Sequence, residues 1–170
     1  MFIMYIDEFT HRQTMTERYY EYHHYRNDSP ITIDFHQHSF YEIYIFISGD
    51  VNYTIEGRTY PLNPGDILLT NNRDIHRPEI APSGLPYERI VIWLNHAFFH
   101  GLLDIGEDLT ACFQDASNRN YRLFRPNGAQ MLKIREACHA IEQERAGNKL
   151  GNRVMAFSCI MEILVLLSRA

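Results

Sequence analysis

Residues 36–49 read His36-Gln37-His38-Ser39-Phe40-Tyr41-Glu42-Ile43-Tyr44-Ile45-Phe46-Ile47-Ser48-Gly49. Aromatic and β-branched residues dominate the run and favour a strand, and Ser-Gly closes it with a turn signal. In a strand, residues two and four apart point to the same face. An unbroken strand therefore sets His36, His38 and Glu42 on one side of a sheet, with Tyr44 and Phe46 continuing the row. Two imidazoles and a carboxylate on one face begin either a metal site or a polar ligand pocket.

Around this stretch, β-type runs at 31–38, 42–48, 51–56, 58–62, 66–70 and 87–94 alternate with turn residues. Short strands with regular turn signals predict an antiparallel sandwich or barrel. Glu56-Gly57 fits a tight hairpin turn and Pro64-Gly65 a type II turn. Beyond residue 95 the pattern turns helical. Asn95 is placed to cap a short helix reaching Leu103. A second helix is predicted over 129–145, where Met131, Ile134, Cys138 and Ile141 recur at helical spacing. A third is predicted over 152–170, with two apolar stripes: Val154, Phe157, Met161 and Leu164, and Ile160, Ile163 and Leu167. That is wider than the ~100° stripe one packing surface needs, and implies a second buried surface. The chain thus divides into a β-barrel, 1–95, and a helical segment, 96–170, packed on it. Residues 1–25, rich in Tyr and His, read as an arm over the barrel mouth or as edge strands.

At 170 residues the length suits one domain with a real core. A net charge of −5 argues against this segment gripping a phosphate backbone by itself. Three scattered cysteines, Cys112, Cys138 and Cys159, suit a reducing interior and small core positions rather than a disulfide framework. The N-terminus lacks the pattern of a signal peptide. The most apolar stretch, 154–167, is interrupted by Ser158 and Glu162 and is shorter than the ~20 residues a membrane span needs. A cytoplasmic protein without a membrane partner is expected.

A site built on one strand needs a donor from another, and His76 is the best placed. An antiparallel partner strand following 66–70 would carry it inward. Three imidazoles and a carboxylate (His36, His38, Glu42, His76) suit a divalent ion such as Zn, Ni, Fe or Mn, with two positions open in an octahedral site. The alternative is a polar pocket floor that binds an effector hydroxyl or water with no ion. Tyr44, Phe46, Tyr53 and Trp93 are candidates to stack on a ligand, against a plain core role. Arg89 is expected in a surface salt bridge, with an anionic or hydroxylated ligand as its alternative. His96 and His100 read as a helix surface, and His23-His24 as surface or strand-edge residues.

His36-x-His38, three residues, Glu42, six residues and Gly49 is similar to the first cupin motif at every spacing, and Gly65 to His76 is similar to the second. Pro30, Asn71, Arg73 and Ile80 depart from the usual turn residues of metal-enzyme cupins. Phe40 to Tyr44, Ser48-Gly49, Tyr60 to Leu69, His76-Arg77-Pro78 and Pro86 to Val91, followed by helices, resemble the N-terminal sensing domain of AraC-type transcriptional regulators. That resemblance covers nearly the whole chain. It implies a cupin jelly-roll (double-stranded β-helix) that binds a small effector, with helices that form a homodimer. DNA would be bound only through a helix-turn-helix domain that this chain lacks, so the chain is expected to be the sensor half. The expected activity is effector sensing rather than catalysis, and the preferred effector is a carbohydrate. The rival readings are a stand-alone metal-dependent cupin enzyme of isomerase or dioxygenase type, and a structural dimerisation module with an empty barrel.

Overall fold

The alternation of aromatic and polar residues produces eight strands, and the structure, a computed structural model, describes them within residues 6–170. They are β1 Tyr20–Asn27, β2 Tyr41–Ser48, β3 Val51–Ile55, β4 Arg58–Pro61, β5 Ile67–Thr70, β6 His76–Ile80, β7 Tyr87–Leu94 and β8 Leu123–Phe124. Four helices follow the same order: α1 His96–Leu103, α2 Ala111–Asn118, α3 Gly128–Ala146 and α4 Asn152–Ser168. All ladders are antiparallel. One sheet has the order β1-β7-β2-β5-β8 and the other β4-β3-β6. Among the described residues no ladder joins the two sheets, so the expected barrel is an open two-sheet sandwich.

Register decides which side chains face inward. Glu42 lies across from Trp93, Tyr44 from Val91 and Phe46 from Arg89. In the second sheet, Tyr53 lies across from Tyr60 and Pro78, and Ile55 from His76. Tyr44, Phe46, Leu68, Val91 and Trp93 of one sheet pack with Val51, Tyr53, Ile55 and Tyr60 of the other in one apolar core. On the outer face of β2, Tyr41 meets Phe99 of α1 and Phe113 of α2, with ring centroids 5.3 and 4.9 Å apart. That cover explains why β2 and β7 are buried on both faces.

The turns follow the sequence. Glu56 and Gly57, at φ 47° and 77°, form the two-residue loop of the β3–β4 hairpin, as a type I′ turn requires. Gly65 has φ 94°, and its N–H bonds the Phe46 carbonyl. Residues 31–38, expected as a strand, form none. Their pairing is the single His36–His76 bridge, supplemented by Arg73 N–H to the His38 carbonyl at 2.8 Å.

The chain forms two compact units. Ile6–Arg125 holds both sheets with α1 and α2, and residues 126–170 hold α3 and α4. The sheet-bearing unit therefore runs on past residue 95, where the sequence reading sets its border. β8 pairs β5, and flanking arginines clamp it: Arg122 pairs with Asp74 and Arg125 with Asp66. In the second unit, Asn127 and Gln130 form a capping box for α3. Helix α4 buries Ile160, Ile163, Leu164 and Leu167 and exposes Val154 and Met155. Cys112 and Cys138 are buried and Cys159 is half-buried. Among the described residues no helix is long and apolar enough to cross a membrane. The N-terminal arm of the sequence reading begins in residues 1–5, which lie outside the described residues. From Tyr20 onward that segment is β1.

Candidate functional site

His38 reaches the site from irregular backbone, His76 from the first position of β6, and the carboxylate from β2. The 36–38 segment docks on the start of β6 through paired His36 and His76 backbone bonds of 3.0 and 3.1 Å. The loop before β6 is held by Asp74, whose carboxylate takes the Asn71 N–H at 2.9 Å and two contacts from Arg122. Glu42 projects inward from β2. Donor atoms of His38, Glu42 and His76 all lie within 4.8 Å of one another, and all three residues are buried.

The hydrogen bonds fix the tautomers. His38 Nδ1 lies 2.9 Å from the Phe40 carbonyl and His76 Nδ1 lies 2.8 Å from the Asp74 carbonyl. A carbonyl only accepts, so each Nδ1 carries the proton and each Nε2 presents its lone pair. Both Nε2 atoms are buried without a hydrogen-bond partner. His38 Nε2 is 3.5 Å from Glu42 Oε2, too long for a strong hydrogen bond. Glu42 Oε2 accepts from Trp93 Nε1–H at 2.8 Å. Burial pushes the Glu42 carboxyl up, but His38, His76 and His36 outweigh it and hold it at about 2. Burial lowers His76 to about 4 against the opposing pull of Glu42. With both imidazoles neutral, the Glu42 carboxylate faces two lone pairs in a dry interior, a repulsion that a proton or a cation between them relieves.

This donor set fits a divalent ion. Two imidazoles and a carboxylate are available, and each imidazole is oriented by a backbone carbonyl behind it. His36, expected as a fourth donor, falls outside the group. Its Nδ1 lies 2.9 Å from the Asp34 carbonyl, and its ring packs edge-on to His76 at 4.2 Å. Lying across the bridge from His76, it faces the adjoining cavity instead.

That cavity, about 50 Å³, is lined by His36, Glu42, Tyr44, Tyr53 and Trp93 among the expected residues. His38 and His76 are not on its wall. Phe46 is fully buried in the core and does not line it. Tyr44 and Tyr87 share a 2.9 Å hydroxyl bond, and burial raises both phenols. Phe9 and Arg12, ahead of β1, form another part of the wall.

Arg89 departs most from the sequence reading. It is 2% exposed and lies on the cavity wall rather than in a surface salt bridge. The β7 alternation that turns Trp93 inward turns Arg89 inward too, and that parity was the available signal. His24 does lie on an edge strand, β1, but not at the surface. It is buried, 2.9 Å from Glu88, while His23 stacks on Tyr25 with ring centroids 5.2 Å apart.

Comparison with solved structures finds likeness at low identity. A DMSP lyase, DddQ, from Ruegeria pomeroyi DSS-3 is 23% identical, over 46% of this chain and 39% of that one, with a TM-score of 0.41. A salicylate 1,2-dioxygenase from Pseudaminobacter salicylatoxidans is 20% identical, over 44% and 22%, with a TM-score of 0.40. An RmlC-like cupin with a double-stranded β-helix fold from Methanocaldococcus jannaschii is 18% identical, over 55% and 93%, with a TM-score of 0.42. The match thus spans well under half the length of the lyase and of the dioxygenase. Comparison with curated proteins finds no match. The family model described as AraC-like ligand binding domain matches residues 17–157, most of the sequence, and the chain belongs to that family.

Proposed function

We propose that this chain is the effector-sensing domain of an AraC-like transcriptional regulator, built on a cupin-type sandwich and acting in the cytoplasm. The observation that carries the reading is an aromatic-walled cavity with buried polar groups, within a chain of this ligand-binding family. A small polar effector would occupy the cavity between Glu42, Tyr44 and Trp93. Carbohydrate is the class the sequence favours, since aromatic faces with interspersed hydrogen-bonding groups suit sugars. At about 50 Å³ the cavity has room for only about three or four waters, so a sugar would have to displace the Phe9–Gln13 wall. Helices α3 and α4 would form a homodimer, with the exposed Val154 and Met155 of α4 contributing to its surface. An effector that binds one arrangement of the domain better than another would shift their balance. DNA would be contacted through helix-turn-helix units outside this chain.

His38, Glu42 and His76 would hold a divalent ion of the Zn, Ni, Fe or Mn type. Such an ion supplies a Lewis-acid point to which an effector oxygen can bind. Those converging acceptors also favour a second reading, a metal-dependent cupin enzyme. Metal analysis with a thermal-shift screen of sugars, and a turnover assay on each sugar that binds, separates the two. Ligand-dependent stabilisation without turnover is expected, and turnover of a bound compound overturns the sensor reading. Light scattering at micromolar concentration tests the dimer, and a monomer there contradicts it.

A further inference from the structure

Two arginines line the cavity, and their surroundings differ. Arg12 is paired with the Glu21 carboxylate. Arg89 has no carboxylate within salt-bridge distance among the described residues. Its Nη1 donates to Asn27 Oδ1 and, at 3.3 Å, to the Tyr87 carbonyl. Its Nη2 is buried with no acceptor. Tyr25, on the same cavity wall, also has a buried hydroxyl without a partner. The faces of the guanidinium are covered by Tyr87, Phe9 and Tyr25, with the central carbon 4.1, 4.8 and 5.0 Å from their ring centroids.

Aromatic faces stabilise a cation, but they do not accept its in-plane N–H groups. A buried guanidinium with an idle nitrogen is a costly arrangement unless something negative completes it. Glu42 and Trp93, paired across β2 and β7, line the same cavity, with Trp93 four residues along β7 from Arg89. From this charge layout we infer that the effector is a small carboxylate, its anionic group held by Arg89 Nη2 and the Tyr25 hydroxyl and its uncharged remainder turned toward Glu42 and Trp93. This rests on the sensor reading and narrows its ligand class. The planar carboxylate suits an in-plane guanidinium edge, and the cavity volume limits the ligand to a few heavy atoms unless its Phe9–Gln13 wall yields.

The test compares acids with uncharged counterparts by calorimetry on the full chain at matched ionic strength. The probes are acetate with acetamide, lactate with lactamide, galacturonate with galactose, and inorganic phosphate alone. At least one acid is expected to bind about tenfold to hundredfold more tightly than its uncharged partner, as for a charge-assisted hydrogen bond. Arg89→Met, checked for folding by circular dichroism, is expected to bring that ratio near one. Arg89→Lys is the second variant should Arg89→Met not fold, and is expected to keep the preference for the acid at reduced affinity. Equal binding of acid and uncharged partner, or galactose alone, overturns the carboxylate assignment and leaves the sensor reading standing. So does phosphate binding in place of the acids, or an acid preference that survives Arg89→Met. Binding of no probe at all overturns both.

Discussion

Replacing Arg122 with Met tests how the site is supported from behind. Arg122 is 4% exposed, and its guanidinium contacts Asp74 at 3.1 and 3.3 Å and the α2 carbonyls of Ala116 and Ser117 at 3.0 and 3.4 Å. Methionine leaves the largely buried Asp74 carboxylate with the Asn71 N–H at 2.9 Å. Breaking a buried pair by removing one partner costs about 3–5 kcal/mol, because the other charge stays buried and uncompensated. For a unit of this size, about 3–5 °C of Tm per kcal/mol corresponds to a fall of about 10–25 °C. Urea unfolding followed by circular dichroism measures the loss. The double variant Asp74→Asn/Arg122→Met is expected to recover about half of it or more, since the stranded charge is then gone. Because the Asp74 carbonyl orients His76, Arg122→Met is also expected to weaken divalent-ion binding. A loss below 1 kcal/mol, or a double variant no more stable than the sum of the singles, refutes the reasoning.

Further outcomes are expected. Chelator treatment followed by Co(II) or Zn(II) is expected to raise Tm in the wild type and not in His76→Ala, as read by differential scanning fluorimetry; an equal rise in both contradicts the donor set. Glu21 is buried, which raises its carboxyl, but Arg12 and the Glu17 and Thr16 N–H groups dominate and hold it at about 2. Its stabilising contribution is therefore complete above the ordinary carboxylate range and lost as pH falls from about 4.5 toward 2. Glu21→Gln should flatten stability in that window, and an unchanged pH profile counts against the pairing. Gly57→Ala meets no atom within 4 Å, so its cost is backbone strain at φ 77° alone, about 1–2 kcal/mol, with an unchanged urea m-value.

Much of the fold was legible because local chemistry and tertiary structure agree. Tyr87–Leu94 is the strand expected, Asn95 accepts the His96 N–H as an N-cap, and Glu56-Gly57 makes its hairpin turn. Three other features were hidden. The strand expected to carry His76 had no legible extent, because β6 contains Pro78, which argues against a central strand; β6 lies at the edge of its sheet, where proline is tolerated. Helix α2 has no side-chain N-cap bond, and β8 is two residues long, so neither gave a strong signal. The site was legible as a list of donors but not as a partition among them. Even spacing grouped His36 with His38 and Glu42, yet β2 begins only at Tyr41, so backbone irregularity decides which imidazole reaches the carboxylate. Arg89 was read by its charge, whereas its strand parity with Trp93 set its place.

Trp93 is the one tryptophan of the chain, and its indole N–H bonds Glu42 at the junction of the donor cluster and the cavity. A titration of ligand or divalent ion followed at the single indole Nε1–H resonance of ¹⁵N-labelled protein therefore reports on the site itself. The account requires that resonance to move with the dissociation constant found by calorimetry. A compound that binds by calorimetry while the Trp93 indole signal stays fixed would show that recognition happens elsewhere on the protein.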